Sequence, residues 1–260
     1  MEIQIKKTVK AGNSSAVILP RAWLDKEVRV EIIKKTRQAM LLDIINILNQ
    51  HIPLENIIGI YLTGSYARRD EGKNSDIDIL IITNNIDKDI IKEGIYNILI
   101  ISSKLLDQKL KEDLLPIGQM IREARPILNS TYIASISIKA TKKNIDWYMK
   151  TTEDKLKIIK KAIDKLKSQN KKYISDLVAY TLILRIRTLF IINKIIKNEE
   201  YSKKEFIKLI RKISGGTNTY EGYLAIKNNY ERKTGIKIDE ASSLYIYLEK
   251  QLSELKKTFK

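Results

Sequence analysis

Cysteine is absent from this sequence, and histidine occurs once, as His51. The first absence excludes a disulfide framework and a thiolate metal site. The second excludes a histidine-rich zinc centre, and His51 reads as ordinary helix-end chemistry. An uninterrupted membrane span is missing too. The longest apolar stretch, "LVAYTLILRIRTLFIINKII" at 177–196, has the length of a span. Arg185, Arg187 and Lys194 break it, however, and arginine is costly at the centre of a bilayer. It reads as a buried helix of a soluble protein. The opening "MEIQIKKTVK" is charged and strand-like, unlike a signal peptide, so the expected location is the cytoplasm. Internal repeats and low-complexity linkers are also missing.

With 43% apolar residues in 260, the chain has enough material for two or three domains with sizeable cores. The formal net charge of +17 is unevenly placed: +5 over residues 1–37, −3 over 38–128 and +15 over 129–260. A basic C-terminal half fits an anionic partner such as nucleic acid. The bland alternative is a lysine-rich composition with solvated helix faces, and the even spread of the lysines suits it equally well.

Three segments follow from the periodicity, and together they predict an α+β protein. Residues 1–36 read as a small β unit: "EIQIKKTV" alternates, "GNSS" is a turn, "AVILP" is a short apolar run and "VRVEII" alternates again. Residues 37–130 mix the periods of a small mixed-sheet domain. "QAMLLDIINILNQHI" is helical, "NIIGIYL", "DIDILII" and "NILII" are strands, and "DKDIIKEGIY", "SSKLLDQKL" and "DLLPIGQMIREA" are helices. Residues 131–260 read as an all-α bundle with helices near 143–170, 173–197, 203–212, 217–231 and 239–258. In the second of these, Arg185 and Arg187 point to different sides. One is a candidate for a cleft, with Arg187 assigned to nucleotide; the plainer expectation is pairing with an acid such as Asp176 or Glu205.

The chemistry is concentrated in "YLTGSYARRDEGKNSDIDILII" at 61–82. On a strand, Asp76 and Asp78 share a face while Ile77 and Ile79 take the other. Two adjacent carboxylates repel unless a cation lies between them, and aspartate oxygens suit Mg²⁺ together with substrate phosphates. Gly64 lets the backbone approach closely, and the Ser65 hydroxyl with free N–H groups suits a phosphate. The pattern points to metal-assisted transfer at phosphorus.

"GSYAR" and "SDIDILI", separated by this spacing, resemble the nucleotidyltransferase superfamily of DNA polymerase beta and kanamycin nucleotidyltransferase, in particular its minimal and kanamycin-type branch. The resemblance covers about 38–128 and implies roles for particular residues. Asp76 and Asp78 would hold two Mg²⁺ ions. Gly64 and Ser65 would bind the β- and γ-phosphates of ATP or another NTP, with Ser75 and Arg68 beside them. An acceptor hydroxyl would attack the α-phosphorus and pyrophosphate would leave. The sequence departs from the family at two places. Arg69 stands where the family carries Gly, and Asn97 stands where a later strand normally supplies a third carboxylate.

"KAGNSSAVILPRAWLDKEVRVEI" resembles the AbrB/SpoVT swapped-hairpin family, on Lys10, Gly12, Asn13, Pro20, Trp23 and Val28 among others. That resemblance implies a homodimer, with Lys7, Lys10, Arg21 and Arg29 as candidate DNA phosphate contacts; a module that only dimerises is the alternative. The expected function is therefore a Mg²⁺-dependent nucleotidyltransferase acting on RNA, a protein (as in toxin–antitoxin pairs) or a small molecule. The rival is a DNA-binding regulator or antitoxin with a degenerate nucleotide-binding domain.

Overall fold

In the computed structural model, which describes residues 4–6, 8–31, 36–72, 75–232 and 235–259, the chain is α+β. It divides into two units, Met1–Gln108 with Met120–Ser137 and Lys109–Gln119 with Ile138–Lys260. The first unit opens with a small hairpin, β1 (Val9–Ala11) and β2 (Ser14–Ala16), turned at Gly12 with φ +59. Helix α1 (Arg37–Leu48) follows, and the Thr36 hydroxyl caps it by accepting from the Ala39 N–H. Then come β3 (Ile57–Thr63), the short helix α2 (Gly64–Arg68), β4 (Ile77–Thr83), β5 (Lys88–Glu93) and β6 (Tyr96–Ser102). Helices α3 (Ser103–Glu112) and α4 (Ile117–Glu123), strand β7 (Arg125–Leu128) and helix α5 (Ser130–Ser135) complete this stretch.

The five longer strands form one sheet in the order β5-β6-β4-β3-β7, with β4 and β6 parallel and the other neighbours antiparallel. The apolar run of β4 suits a central strand covered on both faces: every residue from Ile77 to Thr83 is buried except Asp78, which is half-buried. Ile79, Ile81, Ile98 and Ile100 pack with Ile44 and Leu48 of α1 in the core. Each such side chain contributes about 1.5–3 kcal/mol relative to exposure.

Three local expectations are corrected. The first concerns "DKDIIKEGIY", which is not a helix; its residues form β5, because Gly94 (φ +57) starts a two-residue turn that folds β5 back onto β6, pairing Glu93 with Tyr96 and Ile91 with Ile98. Next, "DLLPIGQMIREA" is helical from Ile117 to Glu123 but not over its first four residues, and Arg125–Leu128 beyond it pairs with β3 as an edge strand that tolerates Pro126. Finally, "VRVEII" shows no strand over 28–31, and 32–33 lie outside the described residues. Val30 is 69% exposed, so no neighbouring strand covers it.

The second unit is helical, as its periodicity predicts. It contains α6 (Lys142–Ser168), α7 (Asp176–Ile196), α8 (Lys203–Ser214), α9 (Asn218–Lys227) and α10 (Ile238–Thr258), with a two-stranded ribbon of β8 (Tyr173–Ile174) and β9 (Ile236–Lys237). Thr141 and Asn144 form a capping box at the start of α6. Helix α7 buries Ala179, Leu182, Ile183, Ile186, Leu189 and Ile192 along one broad face, while Leu177 and Leu184 on the other are exposed, so the helix is not covered all round. Among the described residues no helix is long and apolar enough to cross a membrane.

Candidate active site

The first unit brings most of the predicted residues to one end of β3 and β4. Register pairs Thr63 with Asp78, and the buried Thr63 hydroxyl donates to the Asp78 carbonyl at 3.2 Å. The chain then turns at Gly64 with φ +66, a left-handed conformation in which a side chain is strained. Glycine is required here for a second reason: a Cβ at residue 64 would collide with the Asp78 carboxylate. This glycine is therefore what lets the phosphate-type turn and the carboxylate share the space. Ser65 follows, half-buried, in the first turn of α2, and its carbonyl accepts from the Asp70 N–H.

Asp76 immediately precedes β4 and Asp78 lies within it; both are half-buried, while Ile77 and Ile79 are fully buried on the opposite side. Parallel pairing with β6 sets Asn97 opposite Asp78, and its Nδ2 donates to Asp78 Oδ1 at 3.2 Å. Burial pushes the Asp78 carboxyl above the usual carboxylate range. The Asn97 hydrogen bond opposes that shift, the neighbouring Asp76 charge adds to it, and the Arg68 charge draws it back. Asn97 thus stands in the place expected of a third carboxylate, and among the described residues no cluster of three or more acids and histidines forms a metal cage.

Arg68 is fixed by two carboxylates. It binds Asp70 through two hydrogen bonds of 3.2 Å and Glu123 Oε2 at 2.7 Å. Burial works against its charged form, but Glu123 and Asp70 outweigh that effect and raise its pKa. Glu123 Oε1 also accepts from the Gly64 N–H at 2.7 Å. Sequence reasoning did not find Glu123, which lies 55 residues beyond Arg68 and comes into range through the 120–137 segment of the same unit. Arg69, the departure from the family's glycine, has φ +59 and ψ +37 at the C-cap of α2. The family's glycine suits that left-handed position, and an arginine there carries a cost of about 1 kcal/mol.

The remaining predicted residues stand elsewhere or play local roles. The Ser75 hydroxyl accepts from the Gly72 N–H at 2.8 Å, tying the start of β4 to the preceding turn. Arg187 belongs to the second unit, where its guanidinium lies 5.4 Å from the centre of the Tyr201 ring. Arg185 donates to the Thr151 hydroxyl at 2.9 Å and lies over Trp147. The expected acid partners are used otherwise: Asp176 pairs with Arg232, and Glu205 with Lys194. Lys10, Arg21 and Arg29 are exposed in the opening segment, whereas Lys7 lies outside the described residues.

The donor set suits a hard divalent cation. Asp76 and Asp78, two residues apart and both half-buried, offer carboxylate oxygens of the kind that such an ion takes together with substrate phosphates.

The nucleotidyltransferase domain model matches residues 41–212, well over half of the chain. A search of the curated proteins finds no match. Among solved structures, the chain aligns with a nucleotidyltransferase-like protein from Exiguobacterium sibiricum 255-15, at 14% identity over 83% of this chain and 75% of that one, with a TM-score of 0.38. It also aligns with the spectinomycin adenyltransferase AAD(9) from Enterococcus faecialis, solved with ATP and spectinomycin. Here the identity is 12% over 82% of this chain and 99% of that one, with a TM-score of 0.42.

Proposed function

Since the chain belongs to the nucleotidyltransferase domain family, we propose that it transfers a nucleoside monophosphate from an NTP, ATP foremost, to a hydroxyl acceptor and releases pyrophosphate. The observation that carries this reading is Asp78, with Asp76 two residues before it, packed against a glycine turn that admits no side chain. Asp76 and Asp78 are the residues that would hold Mg²⁺. When bound, the metal neutralises the triphosphate and polarises the reacting oxygens.

The chain's own contribution is placement and charge. Gly64 and Ser65, with Ser75 and Arg68 beside them, receive the β- and γ-phosphates and orient the α-phosphorus toward the incoming oxygen. One P–O bond forms to the acceptor oxygen, one breaks to pyrophosphate, and the hydroxyl proton leaves. The amide of Asn97 cannot take that proton, so the proton goes to solvent and turnover is slow. The basic second half favours a macromolecular acceptor, RNA first. Asn97 also gives substance to the rival reading, a nucleotide-sensing regulator whose opening hairpin dimerises and meets DNA through residues such as Lys10, Arg21 and Arg29.

Incubation of the protein with Mg²⁺ and each α-³²P-labelled NTP, with total RNA, cell extract or an aminoglycoside, tests the proposal. Label should pass to one acceptor and disappear in Asp76→Asn/Asp78→Asn. Nucleotide binding without any label transfer would overturn the transferase reading and leave the regulator in its place.

A further inference from the structure

Glu123 ends α4 with its side chain 9% exposed. A carboxylate at the C-terminal end of a helix sits at the unfavourable pole of the helix dipole, so α4 itself does not explain it. Two donors across from it hold its oxygens. One oxygen takes the Gly64 N–H and the other takes the Arg68 guanidinium, both at 2.7 Å. Two oxygens on one anionic centre, bridging a main-chain N–H and a guanidinium, reproduce the contacts of a phosphate. These are the groups that the nucleotidyltransferase reading gives to the triphosphate, and the inference rests on that reading.

The triphosphate and Glu123 cannot both use those donors. Asp70 is the other anion on Arg68, but it lies two residues along the same turn and is also held through its own N–H to the Ser65 carbonyl. Glu123 comes from a separate segment of the unit, so it is the anion whose place a triphosphate would take. Its negative charge on these same donors opposes the arrival of a polyanion.

We propose that Glu123 is a built-in phosphate surrogate: it keeps the Gly64 N–H and Arg68 in register until a triphosphate displaces it, and by competing it sets the affinity for the nucleotide. Removing the competing charge therefore tightens binding, the opposite of what loss of a purely structural ion pair would do.

Calorimetric titration of the full chain with Mg·ATP, and separately with inorganic tripolyphosphate, compares wild type, Glu123→Gln and Glu123→Ala. Glu123→Gln keeps an acceptor for the Gly64 N–H, which protects the fold, and both variants are checked by thermal melting. Both ligands should bind at least about tenfold more tightly to Glu123→Gln. Equal or weaker binding by a Glu123→Gln protein that melts like wild type would overturn the inference. Asp76→Asn/Asp78→Asn separates the two levels of argument. If wild type binds Mg·ATP and this double variant does not, the nucleotide site stands and only the Glu123 comparison decides. If no variant binds either ligand, the nucleotide site and the surrogate fall together.

Discussion

Asn97 is the polar side chain that β6 sets against Asp78. Its amide donates to Asp78 Oδ1 from the directly paired position on β6. It therefore stabilises the charged form of Asp78 in the absence of metal, a service a third carboxylate could not provide. The same amide has no capacity to accept the acceptor's proton. Asn97→Asp should move both properties in opposite directions. With Mg²⁺ present, the rate of nucleotidyl transfer should rise by about 10²-fold, the lower end of what a positioned base supplies. Without Mg²⁺, a third carboxylate next to two others should lower the melting temperature, and Mg²⁺ should raise it by more than in wild type. Transfer assays and melting curves with and without Mg²⁺ check this. An unchanged rate with a lowered, metal-insensitive melting temperature would count against residue 97 as the base position.

At the scale of elements, the turn between β5 and β6 shows how a strand was hidden inside a helical pattern. Gly94 has φ +57, and a Cβ there would collide with the side chain and carbonyl of Ile5, a buried residue near the start of the chain. Gly94→Ala combines left-handed strain with overpacking and should cost about 2–4 kcal/mol. Urea unfolding should show a shifted midpoint with little change in slope. A cost below about 0.5 kcal/mol would mean that the turn relaxes freely and does not pin Ile5.

In sequence, 87–96 resembles a helix, with the apolar pair Ile90–Ile91 among charges and no strand alternation. Pairing with β6 settles it, and pairing is a non-local fact. The same reason hid β7 and Glu123, which reach β3 and α2 from about sixty residues away. The Gly64 turn and the Asp76–Asp78 pair were legible because their geometry is local: one needs a single left-handed residue, the other only the two-residue repeat of a strand. Asn97 was singled out by the family resemblance, and the parallel register of β6 sets it opposite Asp78. The long helices of the second unit announced themselves by their 3.6-residue periodicity, as in α8, where Phe206 and Ile210 are buried one turn apart.

For the whole molecule, charge separates the acceptor classes. The sequence carries +17 overall, with the excess in the half that forms most of the helical unit, while the catalytic stretch is slightly acidic. A small-molecule acceptor has no use for that asymmetry, whereas a single-stranded RNA meeting four of its phosphates would gain from counterion release. Each such contact contributes a slope of roughly −0.7 in the logarithm of affinity against the logarithm of salt. Four contacts then predict about a fiftyfold loss of RNA affinity between roughly 50 and 200 mM salt. Tripolyphosphate binding at the Gly64–Arg68 turn, with its partly buried Arg68, should weaken far less over the same range. Filter binding of single-stranded RNA and calorimetry of tripolyphosphate across that series make the comparison. A steep slope for RNA beside a shallow one for tripolyphosphate would place the acceptor on the basic helical unit. Flat RNA binding would make the lysines solvated helix faces and turn the search toward small hydroxylated acceptors.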